Sequence, residues 1–137
     1  MARLDWDETS YSVSNQKLDT QHQEFIRLYN NLHETLMTGT PEEASEEKAT
    51  TLKRLINYAN QHFAAEEVFM KDVKFPELKK HIQLHQEFIT KINGLQHDLT
   101  EGAIVLNTSL IKYLRNWIIY HIATEDKKYA QYVEKNP

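Results

Sequence analysis

The stretch that decides the fold is residues 78–99, which read LKKHIQLHQEFITKINGLQHDL. Apolar and histidine side chains recur in this stretch at spacings of three and four residues, namely Leu78, His81, His85, Phe88, Ile92, Leu95 and Leu99. That period places them on one face of an amphipathic helix. Gly102 ends the pattern, and the sequence therefore predicts a helix over about 77–101.

Three further stretches repeat the pattern. The first starts near Asp19, a candidate N-cap, and ends at Gly39; its stripe consists of His22, Phe25, Tyr29, Leu32 and Leu36. The second starts at Pro41 and ends before Pro76; its stripe consists of Leu52, Leu55, Ala59, His62, Glu66 and Phe69. The last consists of Leu110, Leu114, Trp117 and His121. These stretches predict helices over about 18–38, 41–72 and 107–131.

Short connections between four long helices favour antiparallel neighbours. No alternating pattern typical of a strand competes with the helical one. The fold class predicted is therefore all-α, an antiparallel up-down-up-down four-helix bundle. Residues 1–17 are polar with scattered aromatics and are predicted to form an N-terminal arm laid over the bundle. We expect residues 1–137 to form one domain.

Composition excludes several classes of function. The chain has 137 residues and no cysteine, which rules out thiolate catalysis, iron–sulfur clusters and disulfide frameworks. Its net charge is −4 and it has no basic run, so nucleic acid is not an expected partner. Neither a signal peptide nor 18 consecutive apolar residues is found, so we expect no membrane span and a cytoplasmic location.

Ionisable side chains occupy the inward stripe of all four predicted helices: His22, His62, Glu66, His81, His85 and His121. Residues four apart share a helix face, so His62 lies beside Glu66 and His81 beside His85. A single histidine on such a stripe is more often a hydrogen-bonded core residue. Burying the whole set unpaired would cost several kcal/mol for each group. Imidazole and carboxylate together suit iron, manganese or zinc, so the stripes predict a metal site.

The number of candidate ligands exceeds what one ion takes. Five histidines and Glu66 are joined by a carboxylate after His121, either Glu125 or Asp126. Two metal ions bridged by carboxylates would use all seven groups, and dinuclear carboxylate sites occur in four-helix bundles. Glu125, four residues after His121, is better aligned on an ideal helix than Asp126, which lies about 140° around the axis.

Four motifs carry a family resemblance. They are DTQH at 19–22, HFAAEEVFM at 62–70, HIQLH at 81–85 and WIIYHIATED at 117–126. The chain resembles the hemerythrin family, specifically the bacterial single-domain hemerythrins, over nearly its whole length. The resemblance therefore implies the same four-helix fold that the periodicity predicts.

The resemblance also implies a centre of two non-haem iron ions. One iron would take His81, His85 and His121. The other would take His22 and His62 and keep one open position. Glu66 and Asp126 would bridge the pair, together with an oxo or hydroxo group. A local bend or a π-type turn would bring Asp126 into line, with Glu125 as the second choice.

The function implied is reversible binding of O2 for carriage, storage or delivery, without enzymatic activity. Apolar residues would line the O2 pocket and exclude water: Phe25, Trp117, Ile118 and Ile122. The plainer interpretation of these four is bundle core. O2 is the expected ligand, a monomer is the expected state, and the sequence identifies no O2-accepting enzyme. The alternatives are a di-iron oxidase, peroxidase or nitric-oxide-reducing enzyme, and an iron-storage protein.

Several neighbouring residues have roles that the sequence leaves open. Glu67, Asp19 and Glu125 are candidates to accept a hydrogen bond from a ligand histidine. The tyrosines near the motifs are predicted to pack in the core or at its boundary, with hydroxyls that reach the site or solvent as the alternative: Tyr58, Tyr120 and Tyr129. His33 and His97 match no ligand position and are predicted to lie at a bundle end or on the surface.

Overall fold

The computed structural model describes residues 3–38, 41–100 and 106–137. Its helices are α1 (Glu8–Tyr11), α2 (Gln16–Thr38), α3 (Pro41–Asp72), α4 (Leu78–Thr100), α5 (Leu106–Tyr120), a π-helical segment (His121–Asp126) and α6 (Lys127–Lys135). The last three follow one another without interruption and form the fourth long element. Gly39 and Gly102, the predicted ends of two helices, lie outside the described residues.

The long helices form a closed bundle. Helix α2 packs against α3 and α5, and α4 packs against the same two helices. Within the described ranges every element is helical and none is a strand. The predicted all-α bundle with up-down-up-down order is therefore confirmed.

The start of α2 differs from the expectation. The helix begins at Gln16, and Asn15 acts as its cap, since its Oδ1 accepts from the Leu18 N–H at 3.1 Å. The prediction of Asp19 as the N-cap is wrong. Asp19 lies in the first turn, where its carboxylate accepts from the Val13 N–H at 2.8 Å and the Ser12 hydroxyl at 2.6 Å.

The N-terminal arm is attached at two further points and contains the short helix α1. Leu4 and the Asn30 side chain exchange two hydrogen bonds, each of 2.8 Å. The Lys127 ammonium donates to the carbonyls of Thr9 and Ser12, at 3.1 and 2.7 Å. These bonds hold the arm against α2 and α6.

The turn from α3 to α4 is a Schellman motif without glycine. Lys74 takes a left-handed conformation with φ of 60°. The Phe75 N–H bonds to the Met70 carbonyl at 2.9 Å, and the Lys74 N–H bonds to the Lys71 carbonyl at 3.1 Å. Met70 and Phe75 belong to the same buried cluster, so the turn also closes an apolar contact.

Two apolar clusters fill the interior. The larger contains Phe25, Phe63, Phe88 and buried leucines or isoleucines from each of the four long elements. The smaller lies under the arm and consists of Val13, Leu18, Met70, Phe75 and Tyr129. Phe63 of the larger cluster contacts His85, and Tyr129 of the smaller cluster contacts His81. Buried histidines therefore border both clusters.

Among the described helices, none combines the length and the apolar character that a membrane span requires.

Candidate metal centre

All seven side chains predicted as ligands are buried, and none is more than 4 % exposed: His22, His62, Glu66, His81, His85, His121 and Asp126. Every long element contributes at least one of them. The candidate ligands lie in the first half of one long element and in the second half of the next. Because neighbouring elements run in opposite directions, this alternation places all the ligands at the same height along the bundle axis.

The seven side chains form two groups whose ligand atoms lie within 4.8 Å of one another. One group consists of Glu66, His81, His85, His121 and Asp126. The other consists of His22, His62, Glu66 and Asp126. Both carboxylates therefore belong to both groups.

In the first group, nitrogens converge more closely than hydrogen bonding explains. His121 Nε2 lies 3.1 Å from His81 Nε2, 3.2 Å from His85 Nε2 and 3.0 Å from an oxygen of Asp126. One ring nitrogen carries at most one hydrogen, which serves one of these partners. Ligand atoms at right angles about 2.1 Å from an ion are about 3.0 Å apart, so the spacing suits a shared cation.

The second group has the same character. His22 Nε2 lies 3.0 Å from one oxygen of Glu66 and 3.0 Å from one oxygen of Asp126. His62 Nε2 lies 3.4 Å from the other oxygen of Glu66. Both oxygens of Asp126 and one of Glu66 are buried without a hydrogen bond of acceptable geometry. Buried lone pairs left in this way are available to a metal ion.

A π-helical segment brings Asp126 to the histidines. The segment runs from His121 to Asp126, and in a π-turn residues five apart come onto the same side. Of the two alternatives expected at this position, a local bend or a π-type turn, the structure shows the π-type turn. Glu125 instead lies 2.8 Å from the Lys128 ammonium and belongs to neither group.

The far nitrogens of two histidines are held by neighbours. His85 Nδ1 lies 2.8 Å from a Glu67 carboxylate oxygen, and His62 Nδ1 lies 2.7 Å from the Gln21 side-chain oxygen. An Nδ1–H donated in this way points Nε2 into the centre. Of the three candidates from the sequence, Glu67 has this contact, whereas Asp19 binds the arm and Glu125 pairs with Lys128. Gln21 was missed, although it directly precedes His22 in the DTQH motif.

The tyrosines near the motifs have different outcomes. Tyr129 is buried in the smaller cluster, as the core-packing prediction requires, and its hydroxyl also donates to Glu66 at 2.6 Å, so this residue orients a carboxylate of the centre. Tyr120 is 60 % exposed, and its predicted packing role is wrong. Tyr58 stacks parallel to the His62 ring at 6.5 Å and donates to the Gln21 carbonyl at 3.3 Å.

Aromatic rings enclose the centre on its apolar side. Trp117 stacks on His121 with ring centroids 4.2 Å apart, and Phe25 lies 6.2 Å from the His62 ring. Ile118 and Ile122 are 1 % and 2 % exposed within the same cluster. Phe63, which the sequence did not single out, stacks on His85 at 3.9 Å. Phe63 directly follows His62 in the second motif, and this position could have indicated a contact with the centre.

The charges of the cluster shift the pKa values of its members in opposite directions. Burial lowers the pKa of His22, but Asp126 and Glu66 overcome this and raise it to about 10. The pKa of His85 is likewise raised to about 9, because Glu66 and Glu67 outweigh its burial. Burial lowers the pKa of His62 to about 4. Without a metal ion the carboxylates therefore hold protons on His22 and His85, and metal binding must displace them.

Burial opposes ionisation of the two shared carboxyls, but neighbouring histidines hold the pKa values of Glu66 and Asp126 well below their usual range. Both groups are thus ionised and ready to bind a cation.

The remaining histidines lie elsewhere: His33 is half-buried and stacks on Tyr29 at 6.2 Å, and His97 is exposed.

The helices and the buried histidine–carboxylate groups together define a metal-binding helical bundle. The family model described as "Hemerythrin HHE cation binding domain" matches residues 13–133. The chain belongs to the hemerythrin family.

Individual relatives match over similar lengths. The bacteriohemerythrin of Methylococcus capsulatus is 27 % identical over 130 residues, covering 95 % of this chain and 96 % of its own. Myohemerythrin-1 of Phascolopsis gouldii is 32 % identical over 124 residues, covering 90 % and 89 %. A crystal structure of wild-type hemerythrin superimposes with a TM-score of 0.85 at 26 % identity, covering 95 % of this chain and 97 % of that one.

Proposed function

We propose that this protein binds O2 reversibly at a centre of two non-haem iron ions. The observation that carries the proposal is that two groups of ligand atoms share both carboxylates, Glu66 and Asp126. Carboxylates that belong to two neighbouring sites are suited to bridging two ions. A mixed imidazole and carboxylate donor set suits iron.

The two sites offer unequal numbers of ligands. Three histidines and two carboxylates make five for one iron, whereas two histidines and the same carboxylates make four for the other. With an oxo or hydroxo bridge the first iron would have six ligands and the second five. The second iron would be held by His22 and His62 and would keep the position for O2. Two ferrous ions would supply the electrons that O2 needs in order to bind.

The surroundings of that open position favour a dry pocket. Phe25 lies against His62, and Ile118 and Ile122 are buried in the same cluster. Trp117 covers His121. We assign these four residues to the O2 pocket, where they admit an apolar gas and keep out water and protons. Excluding water also prevents side reactions that would release reduced oxygen.

The ligand set favours binding over oxidation of a substrate. Five imidazoles are neutral when they bind metal, and only two carboxylates supply negative charge. A centre this positive disfavours the high-valent states that cleave O2. We therefore propose a carrier, store or donor of O2 rather than an oxidase, peroxidase or nitric-oxide-reducing enzyme.

Anaerobic reduction followed by O2 titration tests the proposal, with iron counted per chain and visible absorption recorded. Reversible binding predicts two irons and a charge-transfer band that disappears when O2 is stripped and returns when O2 is restored. A band that decays at once to the oxidised state, fastest with added reductant, would favour an enzyme. Labile, exchangeable iron would favour storage, and tightly held zinc would contradict the proposal.

We also propose that the protein acts as a monomer. Within the described residues the large hydrophobic side chains that are exposed are Val68 and Tyr120, on different helices. Two such residues are too few for a stable apolar interface. Analytical ultracentrifugation at micromolar concentration tests this, and a dimer would overturn the proposal. The cytoplasmic location stays a prediction.

A further inference from the structure

The two oxygens of Asp126 face different histidines. Oδ1 lies 3.0 Å from His81 Nε2 and 3.0 Å from His121 Nε2. Oδ2 lies 3.0 Å from His22 Nε2, on the other side of the carboxylate. Asp126 therefore gives one oxygen to each of the two ligand groups.

The two oxygens of Glu66 are less evenly placed. Oε1 lies 3.2 Å from His85 Nε2 and 3.4 Å from His62 Nε2, so it faces one histidine of each group. Oε2 lies 3.0 Å from His22 Nε2. Together with Asp126 Oδ2, Glu66 Oε2 therefore belongs to the site that His22 and His62 define.

A tyrosine hydroxyl donates to this particular oxygen. The bond from the Tyr129 hydroxyl to Glu66 Oε2 is 2.6 Å long, which is in the short range typical of a hydroxyl bound to a carboxylate. Within the described ranges, Glu66 Oε1 and both oxygens of Asp126 accept no hydrogen bond of acceptable geometry. The hydroxyl therefore distinguishes one of the four shared oxygens, and that oxygen lies on the His22 side.

Aromatic packing fixes the Tyr129 ring. The ring is fully buried in the smaller cluster, where its centroid lies 5.6 Å from that of Phe69 and 5.9 Å from that of His81. Tyr129 follows Asp126 by three residues, directly after the π-helical segment. One segment thus supplies a shared carboxylate and also the donor that binds the other shared carboxylate.

We propose that the Tyr129 hydroxyl acts on one of the two irons, the one at His22 and His62, and favours its ferrous form. A hydrogen bond draws negative charge from the accepting oxygen, so Glu66 Oε2 becomes a weaker donor to a cation. A weaker anionic donor favours the ion of lower charge. Tyr129 is thus a positioning residue that acts through Glu66. This inference rests on the proposed di-iron centre, which would bind O2 in its ferrous form.

Tyr129→Phe tests the proposal because it removes the hydroxyl and keeps the ring. The matched control is Tyr29→Phe, which removes an equally buried hydroxyl in the larger apolar cluster. An anaerobic redox titration of the iron-loaded proteins measures the effect without O2. At the midpoint potential of the unaltered protein, the ratio of ferric to ferrous iron should be about tenfold higher in Tyr129→Phe, the lower end of the effect of losing such a partner. The control should titrate like the unaltered protein.

Mössbauer spectra of the reduced proteins, loaded with iron-57, then locate the effect. One of the two ferrous doublets should change in Tyr129→Phe, and the other should keep its position. Equal changes in both doublets would overturn the assignment to one iron. An unchanged redox titration, or the same shift in the Tyr29 control, would overturn the role of the hydroxyl.

Iron content and O2 binding separate this inference from the proposed function. If Tyr129→Phe kept fewer than two irons, the hydroxyl would hold the carboxylate in place rather than set the ferrous preference, and the proposal would be wrong. Two irons and reversible O2 binding in the unaltered protein, with no redox shift in the variant, would refute the role of Tyr129 alone. Fewer than two irons in the unaltered protein would refute the proposed function itself.

Discussion

The two halves of the bundle use the same four helices in different ways. One half, which we call the apolar end, is filled by Leu32, Leu52, Leu55, Ile92 and Leu110, all fully buried. The other half, the metal-centre end, carries the seven histidines and carboxylates of the two ligand groups. At the apolar end burial and volume determine stability. At the metal-centre end the positions of individual nitrogen and oxygen atoms matter, because His22 and His121 each lie 3.0 Å from an Asp126 oxygen.

The largest expected effect is loss of the metal when a shared carboxylate is removed. Glu66→Ala takes one ligand from each of the two groups, so we expect the iron content to fall from two to less than one per chain. Elemental analysis of the purified variant measures this. Retention of two irons with an unchanged visible spectrum would show that Glu66 is not a bridge.

A substitution at the apolar end should separate stability from metal binding. Leu55→Ala removes a fully buried side chain, which typically costs about 2–5 kcal/mol of unfolding free energy. Chemical unfolding of the iron-free protein measures the loss. The variant should still bind two irons after reconstitution, and loss of iron here would mean that the two halves are coupled.

Alkaline pH should lower the unfolding free energy of the iron-free protein. The folded-state pKa values of His22 and His85 are raised to about 10 and about 9, above the unfolded value of about 6.5. Their contribution is fully present below pH 6.5 and is lost as pH rises through 9 to 10. We expect the unfolding free energy to fall by a few kcal/mol over this window.

Chemical unfolding at about pH 6 and about pH 9 measures this difference. The iron-loaded protein is the control, because its imidazoles bind metal instead of protons and should show a smaller change. An iron-free protein that is equally stable at both pH values would contradict the assigned contacts.

A smaller effect is expected from a residue that orients a ligand. Glu67→Ala removes the acceptor of His85 Nδ1 and should weaken iron binding by about 10- to 100-fold. Glu125→Ala is the matched control, since that carboxylate pairs with Lys128 and belongs to neither metal group. Competition with a chelator measures both affinities. A larger loss in the Glu125 variant than in the Glu67 variant would reverse this assignment.

The sequence predicts the helices well because helix periodicity is local. Spacings of three and four residues place His62 beside Glu66, and the structure brings both to the same buried group. The family motif also selected Asp126 over Glu125, and the structure places Asp126, not Glu125, in both groups. On an ideal helix the spacing alone would have favoured Glu125.

Contacts between distant segments were not predictable in the same way. Tyr129 and Glu66 are 63 positions apart, and their hydrogen bond depends on how α6 rotates after the π-helical segment. Gln21 and His62 are 41 positions apart on different helices. Asp19 looks like a helix cap in the sequence, but the arm folds back and uses both of its oxygens. Such contacts follow from packing between elements, which periodicity does not encode.

Mössbauer spectroscopy of protein loaded with iron-57 tests the central claim most directly, namely that two irons share Glu66 and Asp126. The account predicts two irons per chain, two quadrupole doublets of equal area in the deoxygenated reduced form, and magnetic coupling in the oxidised form. Two irons without coupling, or a single iron per chain, would contradict a centre bridged by these carboxylates.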